Sequence, residues 1–498
     1  MNSLLAKPRL VIASLFAVFV ALALARCWTN LPWCDEGWFF DPVYNWLVHG
    51  STGTPVMVGK GFPWEGVELH QYWQPPLHLI VDAIWLKIFG LSLVAFRSLS
   101  TFAGIFLLIS WSFLLRYFEV PLAVRLLALT FIATDYAVVR AASDGRTDML
   151  AASFGLGAVA LYLRFRESNF TLAVLLSQIL VVCGGLTHPI GGVVYLVLLT
   201  YFFCTRRDWT KVKPFHIALA LLPYVIGAIC WGIYIEKDPQ LFRKIFLGSS
   251  ASGRLGGMRN PFVAIRREIQ FRYLTPFGLY GQGWVLKTKL LIPLIYLTSA
   301  AFVWAIPGVR RQRYLRPFLA IWTICIVMVF LVDNQRNGTY MVHLLPSYAV
   351  LLASLLYWIY HRTNTMRPLL VLFAACFIAL QAGGSLYIIF TDPYKHQYQA
   401  VTNYVLEHAH PGDRIVGTSE LGFGIGFDRL RDDEALGYYV GKKPDIIILN
   451  PRYEDYFRGV QGTPVYDFVQ RRLEDFQPVY GTPSFEVYLP KSSSIASK

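Results

Sequence analysis

Long apolar runs recur through the first 390 positions, separated by short polar and basic stretches. A helix needs roughly 20 residues to cross the hydrocarbon core of a bilayer. About eleven runs approach that length: 10–28, 97–115, 120–139, 148–164, 171–187, 190–204, 214–235, 290–307, 317–333, 340–360 and 368–390. A further apolar stretch, Pro75 to Leu93, is short and contains Asp82 and Lys87. It reads as a helix lying along the outer membrane surface. Past Phe390 the pattern changes. An amphipathic stretch, Tyr394 to His408, is followed by strand candidates at Arg414–Gly417, Asp445–Leu449 and Ser484–Leu489, with a helical pattern from Val465 to Phe476. Alternating strand and helix patterns predict a small α/β domain over 391–498. Gly422, Gly424 and Gly426 follow a strand candidate, but no helix opening or partner acid accompanies them, so they read as a turn. The fold class expected is a polytopic α-helical membrane protein of about eleven transmembrane helices over 1–390, with external surface helices and a C-terminal α/β domain.

Composition agrees. The 498 residues are 55% hydrophobic and 15% charged, against roughly 25% charged in soluble proteins. The net charge of +14 does not call for nucleic acid, because the basic residues crowd into loops between apolar runs. Lys7/Arg9, Arg116/Arg125, Arg164/Arg166, Arg206/Arg207/Lys211/Lys213, Arg310/Arg311/Arg313/Arg316 and Arg362/Arg367 fall on one face if Pro75–Leu93 does not span. The positive-inside rule makes that face cytoplasmic. The loop 29–96, the loop 236–289 and the C-terminal domain are then outside. Lys7 and Arg9 ahead of an apolar stretch resemble a signal peptide, yet no small-residue cleavage site precedes Trp28, so the first helix is read as retained. Most of the seven cysteines lie in apolar runs without metal-ligand spacing. Cys27 and Cys34 are the one candidate disulfide pair.

The candidate chemistry gathers outside. Asp35 and Glu36, in Trp33-Cys34-Asp35-Glu36-Gly37-Trp38, follow the first apolar run. Charge at the membrane boundary is costly unless it is used or partnered. Three other stretches share that side: His70-Gln71-Tyr72-Trp73-Gln74-Pro75-Pro76-Leu77, Ser143-Asp144-Gly145-Arg146-Thr147-Asp148, and Asn334-Gln335-Arg336-Asn337-Gly338-Thr339-Tyr340 with His343 and Pro346 beyond. Each has a bland reading, Asp148 as a helix cap and Arg146 as its ion-pair partner. Their common side and depth favour one joint site. The loop 236–289 carries ten Lys and Arg against Glu236, Asp238 and Glu268. Such a basic outer loop fits lipid headgroups or capture of a phosphorylated lipid.

The Asp-Glu after the first span, Pro-Pro-Leu before a surface helix ending Phe89-Gly90, and Arg97 opening a span resemble the polytopic GT-C glycosyltransferases. The nearest branch is the glycosyltransferase family 39-like group of protein mannosyltransferases and lipid A aminoarabinose transferases. Arg146-x-Asp148 opening a span, and Arg336-x-x-x-Tyr340 leading to Pro346, fit the same pattern. The resemblance covers about residues 1–390 and implies inverting transfer of a sugar from a polyprenyl- or dolichyl-phosphate carrier to a glycan, lipid or protein acceptor, on the extracytoplasmic face of the cell membrane. Where the aminoarabinose branch has Lys before Pro-Pro-Leu, this chain has Gln74.

A general base must take the acceptor proton. Asp35 is assigned that role, with Glu36 or Asp148 orienting. The leaving phosphate needs no general acid but does need cations, assigned to Arg146 and Arg336. Gln74, His70 and Tyr340 complete the expected donor contacts. No cofactor is implied; a divalent ion between Asp35 and Asp148 is the single metal arrangement the residues suggest. Two rivals remain at this level. One is a flippase or transporter of lipid-linked sugars, which would ordinarily show repeats and midplane charge; the other is a non-catalytic subunit of a glycan-assembly complex.

Overall fold

The computed structural model describes residues 8–248, 261–280 and 283–491; Lys7, Arg254, Arg259 and the serine-rich stretch 492–497 lie outside the described residues. The chain runs through α1 Pro8–Thr29, α2 Cys34–His49, α3 Leu77–Phe89, α4 Leu93–Tyr117, α5 Leu122–Thr134, α6 Tyr136–Ala141, α7 Thr147–Phe165, α8 Phe170–Thr187, α9 Pro189–Thr205, α10 Pro214–Ile235, α11 Leu291–Ala305, α12 Arg316–Val332, α13 Leu345–Arg362 and α14 Arg367–Thr391. Every expected apolar run contains a helix. Among the described residues six helical stretches, beginning at Pro8, Leu93, Thr147, Phe170, Pro214 and Arg367, are long and apolar enough to cross a membrane, and α5, α9, α11 and α12 are shorter apolar helices. On α10, Ile217, Leu221, Val225, Ile229 and Ile233 are each more than half exposed. A broad apolar outer face of this kind suits a hydrocarbon environment. The opposite faces of the helices pack one continuous core around Trp111, Phe131, Phe318 and Tyr348.

The structure departs from the expected elements where side chains, and not hydropathy, set the ends. The run 120–139 breaks at Asp135, whose carboxylate accepts from the backbone N–H groups of Ala137 and Val138 and so caps α6. The run expected from 340 becomes a 3-10 turn over Gly338–His343 before α13, which has Pro346 in its first turn. The segment 29–96 was expected as a loop with one surface helix, yet Asp35 and Glu36 sit in the first turn of α2. That helix contains Pro42 and mixes acid with aromatics, so periodicity does not reveal it. Tertiary packing makes it: Phe39, Phe40 and Val43 join a second core with Phe96, Ile415 and Phe427. The segment 236–289 likewise contains short helices, Pro239–Phe242, Pro261–Arg267 and Trp284–Thr288 among them.

After α14 come α15 Ala400–His408, β1 Ile415–Val416, β2 Leu430–Arg431, β3 Ile446–Leu449, α16 Pro451–Gly459, α17 Pro464–Glu474, β4 Phe476–Gly481 and β5 Glu486–Pro490. The sheet order is β2-β1-β3-β5-β4; β1 runs parallel to β2 and β3, while β5 is antiparallel to β3 and β4. Strand β4 begins where a helix was expected to end, and Gly422–Ile425 forms a helical turn stopped by Gly426 at φ 102°. The sheet domain packs directly on α2. Ser419 Oγ donates to the Cys34 carbonyl at 2.8 Å, and Trp38 Nε1 donates to Asp432 at 3.0 Å. Gly37 is required there, since a Cβ would stand 2.4 Å from the Ser419 carbonyl carbon.

Candidate active site

The site lies at the end of the helix bundle where α1 finishes and α2, α4 and α7 begin. Trp33 enters α2 in extended conformation, and Glu36 Oε2 accepts from its N–H at 3.3 Å. Two carboxylates in a first turn suit the positive end of the helix dipole, but their surroundings separate them. Glu36 and Arg97 are both fully buried and paired through two 2.7 Å bonds. Glu36 Oε1 also accepts from Gly145 N at 2.8 Å, and Arg97 donates to the carbonyls of Cys27 (3.0 Å) and Asn30 (2.9 Å). This pair ties four chain segments together. Asp35 remains part-exposed and is held by Arg146 Nη1.

Arg146 stands between the carboxylates. Its Nε donates to Asp148 Oδ2 at 2.7 Å, its Nη2 reaches Thr339 Oγ1 at 3.3 Å, and its guanidinium lies 4.7 Å from the Trp33 ring centroid. Asp148 Oδ1 is buried with no hydrogen-bond partner among the described residues. A cavity of about 460 Å³ opens against this group. Trp33, Tyr136, Arg140, Asp144, Arg146 and Asp148 line it together with Thr275, Pro276, Arg336, Gly338 and Thr339. At Gly338 a Cβ would lie 2.0 Å from Pro276 Cγ, so glycine lets the two facing strips of chain close together.

Arg336 lines the cavity but its guanidinium is engaged. Nη1 donates to the Phe330 and Asp333 carbonyls and lies 3.4 Å from Glu268, and the residue has a left-handed φ of 61°. Burial lowers its pKa from the ordinary value. The neighbouring Arg272, fully buried, is neutralised by Glu268 and Asp333. Tyr340 OH is 3.1 Å from His188 Nε2, behind the cavity wall. Gln74 and His70 do not line this cavity. Gln74 is buried with Oε1 unpartnered among the described residues, and His70 lies tilted against Tyr72 and edge-on to Tyr234, its pKa lowered by burial. Cys27 and Cys34 are both free, Cys27 touching Thr101. Among the described residues no group of three or more His, Cys, Asp or Glu is arranged to hold a metal ion.

The structure therefore joins Asp35, Arg146 and Asp148 into one unit, places Arg336 in the lining of the same cavity, and ties Glu36 to Arg97 instead. Sequence reasoning did not assign Trp33, Tyr136, Arg140 or Thr339 to the site. Arg140 carried one signal: a cation on the side the basic loops had left poor in them, one helical turn before Asp144.

No protein-family model and no curated protein matches the chain in sequence. Solved structures do match in fold. ArnT from Cupriavidus metallidurans bound to undecaprenyl phosphate aligns over 97% of this chain and 98% of its own, with a TM-score of 0.60 at 14% identity. The archaeal oligosaccharyltransferase AglB from Archaeoglobus fulgidus, in complex with an inhibitory peptide and a dolichol-phosphate, aligns over 97% of this chain and 74% of its own at 0.52 and 11%. The arabinofuranosyltransferase AftD from mycobacteria aligns over 97% of this chain and 40% of its own at 0.51 and 10%. These glycosyltransferases all have the GT-C fold, and at such identities it is the fold that is shared: the chain is a GT-C fold protein.

Proposed function

We propose that the protein is an inverting glycosyltransferase of about eleven transmembrane helices that moves a hexosyl or pentosyl group from a polyprenyl- or dolichyl-phosphate carrier to an acceptor hydroxyl on a glycan, lipid or protein, at the extracytoplasmic face of the cell membrane. The observation that carries the reading is the cavity at one end of an apolar helix bundle, lined by Arg146 and Asp148, with Asp35 held on Arg146 beside it. The fold neighbours support the donor class, since two of them were solved with undecaprenyl phosphate and dolichol-phosphate.

In this reading Asp35, the more exposed of the two carboxylates of its helix turn, accepts the proton of the acceptor hydroxyl as its oxygen attacks the anomeric carbon. The bond from that carbon to the phosphate oxygen breaks on the opposite face, giving inversion. Asp148 and Arg146 fix the orientation of Asp35, and Glu36 holds the helix start through Arg97. Arg336 contacts the donor from the cavity lining. Arg146 supplies positive charge between the two carboxylates, so no metal is invoked. Replacing Asp35 by Asn keeps the shape and removes the base. Transfer from a polyprenyl-phosphate sugar should fall at least about a hundredfold with the protein still folded; near-normal turnover at saturating acceptor would end the assignment.

A further inference from the structure

A second cavity, of about 640 Å³, is lined jointly by the outer segment after α2 and by the C-terminal sheet domain. Strands β1, β2 and β3 are mutually parallel, so the loops that enter them lie at one end of the sheet. Residues scattered in sequence meet there: Asp413 and Arg414 ahead of β1, Asp428 and Arg429 ahead of β2, and Lys442 ahead of β3. The stretch 55–60 attaches beside β2, with Val58 N donating to the Asp432 carbonyl at 3.1 Å and Asp432 N to the Val56 carbonyl at 2.7 Å, and it brings Lys60 to the cavity. With Arg431 that makes five lining cations, and their charge is poorly neutralised. Arg414 pairs with Asp433 at 3.0 Å, yet its Nε is buried with no hydrogen-bond partner among the described residues. Arg429 donates to the His410 carbonyl at 3.3 Å, and Arg431 to the Asp428 and Leu430 carbonyls at 3.1 and 2.6 Å. Among the described residues no carboxylate stands in ion-pair range of Lys60, Arg429, Arg431 or Lys442. The lining acids are engaged elsewhere: Glu68 accepts from Gly66 N at 3.1 Å, Asp413 from His410 N at 2.7 Å, and Asp428 meets Tyr44 and His49 at 2.9 and 3.0 Å.

We propose that this cavity binds an anionic saccharide, a stretch of sugar chain that carries carboxylate or phosphate groups. Its volume falls in the roughly 300–1,000 Å³ range of small-ligand sites, more than a single inorganic anion fills. The cations are spread over four chain segments, which suits several negative charges spaced along one ligand. Charge-assisted bonds from Lys and Arg to such groups are the stronger kind. The carboxylates complete the match. An ionised carboxylate only accepts hydrogen bonds and has about four lone-pair sites, so Glu68, Asp413 and Asp428 keep capacity for sugar hydroxyls while repelling a bare polyanion. Among the described residues no aromatic side chain lines the cavity, so it lacks the stacking platform on which a nucleobase binds. Its apolar side chains, Pro55, Met57, Val58 and Val440, are too few to form an acyl-chain groove. None of the lining residues belongs to the cavity beside Arg146, so the site stands apart from the transferase reading.

Titration calorimetry on the full-length protein in uncharged nanodiscs tests this, with tetragalacturonate as probe and maltotetraose as its uncharged counterpart of equal length. Wild-type protein should prefer tetragalacturonate about tenfold or more. Lys60 and Lys442 are exposed, so replacing them leaves the fold intact. Lys60→Gln combined with Lys442→Gln should lower tetragalacturonate affinity roughly tenfold or more at an unchanged unfolding temperature. Lys395→Gln combined with Arg471→Gln removes as much charge from residues that do not line the cavity, and should leave the affinity as it was. Equal affinity in the wild type and the Lys60/Lys442 variant, an equal loss in the Lys395/Arg471 variant, or no tetragalacturonate binding by the wild type would each overturn the proposal. Tripolyphosphate bound more tightly than tetragalacturonate, and lost in the Lys60/Lys442 variant, would assign the cavity to a bare polyanion and overturn the saccharide.

Discussion

In the proposed mechanism two adjacent carboxylates divide structural from chemical roles, and Glu36→Gln exposes the difference. Glu36 and Arg97 are both fully buried and share two 2.7 Å bonds. Removing the carboxylate charge leaves Arg97 without its anionic partner, facing one amide oxygen and the Cys27 and Asn30 carbonyls. An uncompensated buried charge of this kind costs about 3–5 kcal/mol, a large part of the net stability of a domain. Asp35→Asn is a smaller perturbation. Its side chain is 20% exposed, and Arg146 keeps Asp148 as a partner, so about 1 kcal/mol or less is expected. Equilibrium unfolding in detergent should rank Glu36→Gln well below Asp35→Asn. A double variant, Glu36→Gln with Arg97→Gln, should recover much of the loss, because no charge is then left unpaired. The reasoning is refuted if the double variant is no more stable than Glu36→Gln alone, or if Glu36→Gln unfolds with the wild type.

Arg336→Ala should weaken use of a polyprenyl-phosphate donor roughly tenfold or more, seen in the KM for donor with the fold intact. Glu420, wholly buried in the C-terminal domain, has its pKa pushed by burial from 4.5 up to about 7. Its stability contribution is therefore complete below pH 4.5 and lost as pH rises through 7, about 3 kcal/mol at most. Unfolding midpoints compared at pH 5 and pH 8 should show that loss in the wild type and a flatter profile in Glu420→Gln. Single cysteines at Lys60 and Asp455 should react with an impermeant thiol reagent in intact cells; labelling of either only after permeabilisation would reverse the orientation.

The helices of the membrane domain were legible because a bilayer imposes one simple pattern, long apolar runs with charge between them. What escaped was set by contacts distant in sequence. Helix α2 has no clean amphipathic period and holds Pro42; it exists because Phe40 packs on Phe96 and Phe427 at 5.4 and 5.2 Å. Asp35, Arg146 and Asp148 could be named from short motifs and an expected common side. That Arg146 bridges the two acids, and that Glu36 belongs to Arg97, needed coordinates, since Arg97 lies 61 positions away. The two-residue strands β1 and β2 offered almost no pattern; β1 was marked by Ile415-Val416 and β2 by nothing comparable.

The position of Asp35 is settled jointly by both domains. From the membrane side, Arg97 and Gly145 clamp Glu36, and Arg146 clamps Asp35 itself. From the other side, the sheet domain presses Ser419 against Gly37 and donates a hydrogen bond to the Cys34 carbonyl, one residue before Asp35. Trp38 extends the contact to Asp432, which Arg452 also holds at 2.9 Å. A first helical turn is the part of a helix most free to fray, because its N–H groups lack partners within the helix. Clamping it on both flanks holds the carboxylate on Arg146, which lines the cavity. The C-terminal domain is on this geometry part of what positions the site, which explains why a short glycine-marked turn of α2, poor in local helix signal, stays ordered at the point where two cores meet.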